Sequence, residues 1–259
     1  MRLSNLASRE LEPQIGKFKS YLDREEMYVS SINGFPYGRF SNDSVKKNVY
    51  FPDWSDKERV KYTKRLAHIY ATLLPDGVTG SISTVPVCYG KELPPMAVEN
   101  LFIIANELAI IEEETNKRII LSLEPEPDCY LESSDDVIAF WNFFRSFKDK
   151  HICEYLGICL DTCHVACSYE HPADFLISMK NSDIEVPKIQ ISNALRVLPD
   201  QDHYALLMPF IDKVYLHQTR VLSEGKILRF PDLDVALNKK PDGEWRVHFH
   251  VPLYFRGSN

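Results

Sequence analysis

The chain has 259 residues, 44% apolar and 26% charged, an ordinary balance for a globular protein with a sizeable core. Thirty basic against thirty-seven acidic side chains leave a net charge of −7, and no stretch carries the basic footprint that neutralises phosphates, which argues against nucleic acid as a partner. No apolar run approaches the roughly 18 residues of a membrane span, and the opening MRLSNLASRE lacks a signal-peptide core, so a cytoplasmic protein without a membrane span is expected.

In chain order, Arg2–Asn5 reads as a strand, and Pro13 opens a helix with Ile15, Phe18 and Leu22 on one face. Tyr28–Asn33 reads as a second strand, followed by Asn33-Gly34-Phe35-Pro36-Tyr37-Gly38. Glycine there allows close backbone approach, and Asn33 and Tyr37 offer polar contacts to a ligand; a tight turn without a ligand is an equal reading. A helix over Glu58–Leu74 repeats Val60, Ala67, Tyr70 and Leu74, and Gly80–Val85 reads as the next strand. Met96–Lys117 is the clearest helix, with Leu101, Ile104, Leu108 and Ile111 three or four apart, and it leads into a strand over Arg118–Glu124. Ser133 and Asp136 form a capping-box pattern ahead of Val137, Phe140, Trp141 and Phe144. After a strand at Leu156–Asp161, Pro172 opens a short helix, and strands at Lys188–Ser192, Lys213–His217 and Arg246–Val251 alternate with weaker helices near Tyr204–Phe210 and Asp232–Leu237.

Helical segments of roughly 10–20 residues between strands favour crossover connections and a parallel sheet. Eight strands with seven helices between them suggest a (β/α)8 TIM barrel forming a single domain over 1–259, which is about the length at which such a barrel closes. An open doubly wound sheet is the alternative, but no G-x-G-x-x-G or G-x-x-x-x-G-K-[ST] loop supports a dinucleotide or P-loop site on it.

The polar residues of interest gather at the C-terminal ends of the strands, where parallel barrels build their sites. Alternation puts Ser122, Glu124 and Glu126 on one face of a strand whose Ile119, Leu121 and Leu123 take the other. Carboxylates aimed into a barrel need partners, and a metal ion serves several at once; a plain surface loop is the competing reading for Glu124. GICLDTCH ends a strand in Asp161 with His164 three residues on, a spacing that supplies one metal ligand and one ligand or proton-transfer group. Tyr215 and His217 share a face, as do His248 and His250. A single inward histidine is ordinarily a core residue, but three at the ends of two strands suit a divalent ion such as Zn, Mn, Fe or Co. His68, His151, His171 and His203 read as structural or surface residues, and the six cysteines as buried reduced thiols rather than an iron–sulfur or zinc site.

LEPEP followed by LDTCH resembles the sugar phosphate isomerase/epimerase and endonuclease-IV-like superfamily of xylose-isomerase-like TIM barrels. Over nearly the whole chain, the strings RLSNLASREL, NGFPYGRF, GSISTVP, LEPEPDCYLE, GICLDTCHVACSYE, KIQIS, VYLHQ and WRVHFHVPL resemble one branch, the EboE-type metabolite-traffic proteins. That resemblance implies a bacterial protein that works with other Ebo-cluster proteins in a pathway moving a biosynthetic precursor or prenylated small molecule. It implies metal ligands at Glu124, Asp161 and either His217 or His250, with His164 at a second metal or the substrate, and a divalent ion among Zn, Mn, Fe, Co and Mg. The histidine that relatives carry in the strand after LDTCH falls near Gln190, a poorer ligand. Relatives continue at both ends, so a barrel incomplete at one or both ends, and a chain that is a fragment of a longer family member, are expected alternatives to a closed barrel. A gap where the two ends of the barrel meet is expected with them.

The leading functional expectation is a metal-dependent isomerase, epimerase or related lyase acting on a polyhydroxylated small molecule. Glu124, Glu126 and His164 are then the catalytic candidates, Glu124, Asp161, His217 and His250 the metal ligands, and Asn33, Tyr37, Gln190 and His248 the substrate-binding residues. The alternative is a non-catalytic small-molecule binding or carrier protein of the same pathway. A phosphodiesterase is disfavoured by the charge, and Arg39 and Arg196 are the candidate anion-binding residues.

Overall fold

The computed structural model describes residues 12–37, 46–147, 150–199 and 202–251; the strand expected at Arg2–Asn5 lies outside them, as do Arg39 and Gly38. Five strands, β1 (Ser31–Asn33), β2 (Gly80–Thr84), β3 (Ile119–Leu123), β4 (Leu156–Asp161) and β5 (Lys188–Gln190), pair in chain order and all in parallel. Helix α1 (Glu12–Arg24) precedes β1, and α2 (Lys57–Leu73), α3 (Ala97–Thr115), α4 (Ser134–Phe147) with the single turn α5 (Lys150–Cys153), and α6 (Thr162–Cys167) with α7 (Pro172–Asn181) make the crossovers. Every residue of β2, β3 and β4 is buried, as parallel strands covered on both faces must be.

The helix ends follow from their capping residues. Asp56 accepts from the Glu58 N–H at 2.8 Å to start α2. At α4 the Asp136 N–H donates to Ser133 Oγ at 3.2 Å while the Ser133 N–H donates to Asp136 Oδ2 at 3.3 Å, the reciprocal pair read from the sequence. Asn116 closes α3 in the left-handed conformation, and Pro172 opens α7 behind a His171 cap. Trp54, Leu66, Tyr70, Ile104, Leu108 and Phe140 are among the core side chains between these helices and the sheet.

Beyond β5 the parallel series stops. Strands β6 (Asn193–Val197), β7 (Thr219–Ser223), β8 (Lys226–Phe230) and β9 (Glu244–Val251) form a second sheet in the order β6-β9-β7-β8, antiparallel throughout. Two sequence expectations are corrected here. Lys213–His217 is irregular backbone rather than a strand, and Arg246–Val251 is a strand of an antiparallel sheet rather than the last stave of a parallel barrel. The physical reason is connection length: β7 and β8 are joined by Glu224 and Gly225, with φ of 48° and 76°, the two positive values of a tight hairpin turn, and no crossover fits in two residues. Val221, Leu233, Trp245 and Val247 give this sheet its own core, closed by α9 (Leu233–Lys239), while α8 (His203–Leu207) precedes the irregular stretch.

Buried and half-buried polar side chains fasten the second sheet over the C-terminal end of the first. The Arg220 guanidinium donates to Glu132 Oε1 at 2.8 Å and Asp128 Oδ1 at 2.8 Å in the loop after β3. Arg246 donates to the Ala166 carbonyl at 2.8 Å and lies over the Tyr169 ring at 4.1 Å. The fold is thus an α/β barrel of five parallel strands, left incomplete, with the antiparallel sheet at its functional end. Among the described residues no helix is long and apolar enough to cross a membrane.

Candidate metal centre

Four of the five parallel strands deliver a polar group to the site at their C-terminal ends. Asn33 ends β1, Glu124 follows β3, Asp161 ends β4 and Gln190 ends β5. Beneath them the inward face of the sheet carries a buried polar layer, with Ser81 Oγ and Ser122 Oγ 2.8 Å apart and Lys188 Nζ donating to Ser83 Oγ at 2.9 Å. Above them the second sheet lowers His248 and His250 of β9, so the site is built between the two sheets. A cavity of about 510 Å³ opens there, lined by Glu124, Glu126, His164, His217, His248 and His250 among others.

Asp161 has two tasks. Its Oδ1 caps α6, accepting from the Cys163 N–H at 2.8 Å and from Ser192 Oγ at 2.7 Å. That leaves Oδ2 facing the site, 3.8 Å from His250 Nδ1. Burial pushes the Asp161 carboxyl up, but the attraction of His164 and His250 in their protonated forms and the hydrogen bonds from Ser192 and the Cys163 N–H outweigh it and hold it below the usual carboxylate range. Burial raises Glu124 to about 7, with the neighbouring Asp161 charge adding to the effect. Burial likewise raises Glu126 to about 8 against the hydrogen bond of 2.6 Å from Tyr50 Oη. The Gln190 amide lies between two of these carboxylates, donating to Glu124 Oε1 at 2.5 Å and Asp161 Oδ2 at 3.2 Å.

The histidines are oriented one by one from behind. His164 Nδ1 lies 2.8 Å from the Pro125 carbonyl and His217 Nδ1 2.8 Å from the His248 carbonyl. A carbonyl oxygen only accepts, so both Nδ1 atoms carry a proton, and in a neutral ring that leaves Nε2 as the acceptor. For His248 the partner is Gln218 Oε1 at 2.7 Å. Gln218 is itself fixed, because its amide nitrogen donates to the Pro127 carbonyl at 3.2 Å and to Tyr50 Oη at 2.9 Å. His248 Nε2 is therefore also a bare acceptor. Burial holds both His164 and His248 below the usual imidazole range, so both rings are neutral.

The lone pairs of His164 and His248 face each other, their Nε2 atoms 3.1 Å apart, and His250 Nε2 stands 3.1 Å from His248 Nε2. Two acceptors at that distance repel unless a cation lies between them. Imidazole nitrogens bound about 2.0–2.1 Å from one ion stand roughly 2.9–3.4 Å apart, depending on the bond angle. The donors thus fit a divalent metal, and the carbonyl or amide oxygen behind each Nδ1–H is the outer partner that metal-bound histidines use. Two buried atoms aimed into the same region, Glu124 Oε2 and His217 Nε2, have no hydrogen-bond partner.

The donor atoms fall into three overlapping sets within 4.8 Å: His164, His248 and His250; Glu124, Asp161 and His164; and Asp161, Cys163 and His250. Cys163 is a weak candidate, since a hydrogen bond with Cys167 and burial push its thiol far up and keep it protonated. Of the expected ligands, Asp161 shares one set with Glu124 and another with His250, but no set holds all three. His217 lines the cavity but belongs to none of the three sets, and its ring packs instead against Phe249 with centroids 4.9 Å apart. His248, expected at the substrate, stands at the centre of the imidazole trio.

The remaining expected residues divide. Asn33 lines the cavity with Oδ1 accepting from the Phe35 N–H at 3.0 Å, whereas Tyr37 packs edge-on against Tyr62 and is not among the lining residues. Gly34 approaches backbone rather than ligand: an added Cβ would lie 3.1 Å from the Ser83 carbonyl and 2.9 Å from Ile82 Cγ2. Arg196 is paired with Glu244 at 2.6 Å. Tyr50, Gln218 and Lys46 are site residues that sequence reading did not single out. A Gln next to His217 in VYLHQ is the only sequence cue any of them offers. The six cysteines are free and buried, as expected.

No family model and no curated protein sequence matches the chain. Solved structures do. A xylose isomerase-like TIM barrel protein from Mycobacterium smegmatis in complex with magnesium is 18% identical with a TM-score of 0.50, over 74% of this chain and 60% of that one. The IOLI protein with a binding zinc atom is 15% identical with a TM-score of 0.44, over 73% of this chain and 59% of its own. SacUVDE is 15% identical with a TM-score of 0.34, over 78% and 63%. This chain therefore spans about three fifths of the length of these structures. At such identity the first likeness is one of fold, and the fold it gives is the xylose-isomerase-like TIM barrel, here incomplete.

Proposed function

We propose that the chain is a metal-dependent isomerase or epimerase acting on an oxygenated small molecule. The observation that carries this reading is His248 Nε2 standing 3.1 Å from both His164 Nε2 and His250 Nε2, with the His164 and His248 Nδ1 protons held from behind. His164, His248 and His250 would hold the ion with Asp161 beside them, and nitrogen donors favour Zn, Co, Fe or Mn over Mg. A bound divalent ion polarises a carbonyl or hydroxyl oxygen of the substrate. The magnesium held by the Mycobacterium smegmatis barrel protein supports an ion in this fold.

The chain's own groups do the rest. Glu124 and Glu126 face the same cavity and move the proton between adjacent carbons of the substrate, or from one face of a carbon to the other. Tyr50 Oη, donating to Glu126 Oε1, holds that carboxyl in place and passes its orientation from Gln218. Gln190, donating to both Glu124 and Asp161, softens the repulsion between them. The finer reading, a single-domain EboE-type protein of a metabolite pathway, rests on the sequence strings quoted above. The test is exchange in heavy water: zinc-loaded protein is incubated with 2-hydroxyacetophenone and dihydroxyacetone, and deuterium at the carbon beside the carbonyl is followed by mass spectrometry. Exchange that needs zinc and drops at least 100-fold in Glu126→Gln supports the proposal. Zinc and ligand binding without exchange would assign the carrier function instead.

A further inference from the structure

The walls of the cavity differ from its floor. Phe35, Pro36 and Val49 make one apolar wall, and Tyr215, Leu216 and Phe249 make another. The first wall is rigid: the Arg59 guanidinium donates to the Gly34 and Phe35 carbonyls, both at 3.0 Å, and Tyr62 Oη donates to the Pro36 carbonyl at 2.9 Å. The second is braced by Phe210, whose ring meets Phe249 edge-on at 5.1 Å. Apart from the hydroxyl of Tyr215, which is exposed at the rim, the side chains of these two walls carry no hydrogen-bonding group for a ring of hydroxyls.

Charge points the same way. Among the described lining residues Lys46 is the single lysine or arginine, and it is already engaged, ion-paired with Asp232 and donating to the Asp212 carbonyl at 3.1 Å. Glu124, Glu126 and Asp212 line the same space. Among the described lining residues a phosphate dianion would meet three carboxyl groups and no unpaired lysine or arginine, with the proposed metal ion as its one positive partner, whereas phosphate sites are built from spare Arg, Lys or helix N-termini. We infer that the substrate is an uncharged molecule with an apolar, ring-sized body held between these walls and adjacent oxygen atoms at the histidine floor, and that it carries no phosphate. This rests on the metal-centre reading for the position of the oxygens but not for the apolar walls.

Isothermal titration of zinc-loaded protein tests it with three probes: 2-hydroxyacetophenone, dihydroxyacetone and dihydroxyacetone phosphate. The aromatic ketol is expected to bind at least tenfold more tightly than either of the others. Leu216→Asp should cut its affinity at least tenfold with zinc still bound, and Tyr215→Glu, at an exposed rim position, should weaken it several-fold even where Leu216→Asp misfolds. A phosphate ester that binds as tightly as the aromatic ketol would overturn the inference, as would unchanged affinity in both variants. Acetophenone, lacking the chelating hydroxyl, separates the two readings in metal-free protein. If zinc fails to bind but acetophenone still responds to Leu216→Asp and Tyr215→Glu, the metal centre is wrong and the apolar walls stand. If zinc binds but acetophenone ignores both variants, the walls are wrong and the metal centre stands.

Discussion

Gln218→Leu should damage the metal centre without touching a ligand. Gln218 is fully buried and makes three hydrogen bonds, to Tyr50 Oη at 2.9 Å, the Pro127 carbonyl at 3.2 Å and His248 Nδ1 at 2.7 Å. Leucine fills most of the same volume but leaves the Pro127 carbonyl and the His248 Nδ1–H unpaired where water does not reach. Each orphan costs about 1–3 kcal/mol, so a loss of roughly 2–4 kcal/mol is expected after local relaxation. Freed from its acceptor, His248 no longer has a fixed tautomer, and loss of such an outer partner typically lowers metal affinity about 10–100-fold. Gln218→Glu separates the two effects. It restores an acceptor for His248 but sets a carboxylate against the Pro127 carbonyl, so stability should fall while zinc affinity holds. Urea denaturation gives the first quantity and competition with a chelating dye the second. Gln218→Leu protein that loses stability yet binds zinc like the wild type would refute the tautomer argument.

Three further outcomes follow from other parts of the molecule. Burial pushes the Glu132 carboxyl up, but Arg220 and Lys91 outweigh it and hold the group below its ordinary value. A lowered folded pKa means stability that is present above the unfolded value of about 4.3 and lost as pH falls through the folded one, so Glu132→Gln should cost about 1–3 kcal/mol at pH 7 and progressively less below about pH 4.3. A difference that grows on acidification would reverse the sign assigned. Gly34→Ala places a Cβ 2.9 Å from Ile82 Cγ2 and 3.1 Å from the Ser83 carbonyl, and should destabilise by about 1–3 kcal/mol in urea; wild-type stability would mean that the approach of these strands is looser than described. Chelation should lower the melting temperature of zinc-loaded protein, since an ion at 100 times its Kd stabilises by about 2.7 kcal/mol, and Asp161→Asn, which keeps the α6 cap but not the charge, should at least halve that drop. An equal drop in both proteins would remove Asp161 from the site.

The parallel half of the molecule was legible because its signals are local. Three- and four-residue spacing in Met96–Lys117, the Ser133–Asp136 capping pair and the apolar face of Ile119, Leu121 and Leu123 each act within a few residues, and each formed as read. Glu124 and Asp161 were legible for a related reason, since a strand end fixes where its last side chain goes. The second half was misread because alternation alone does not tell a parallel from an antiparallel partner. LSEGKI carried the missing cue, a two-residue Glu-Gly turn between alternating segments, and it makes a hairpin rather than a crossover. The prominence of His248 over His217 was out of reach, because it depends on Gln218, Pro125 and Pro127 meeting across loops far apart in the chain. Lys46 and Tyr50 were missed because the short helical turn that carries them has no periodicity to read.

X-ray absorption at the zinc edge of the loaded protein bears most directly on the metal centre, because it counts imidazole ligands without requiring a substrate. Three histidine nitrogens at about 2.0–2.1 Å are expected, falling to two in His248→Ala. A shell of oxygens alone, or an unchanged histidine count in His248→Ala, would contradict the trio of His164, His248 and His250 as the site of the ion.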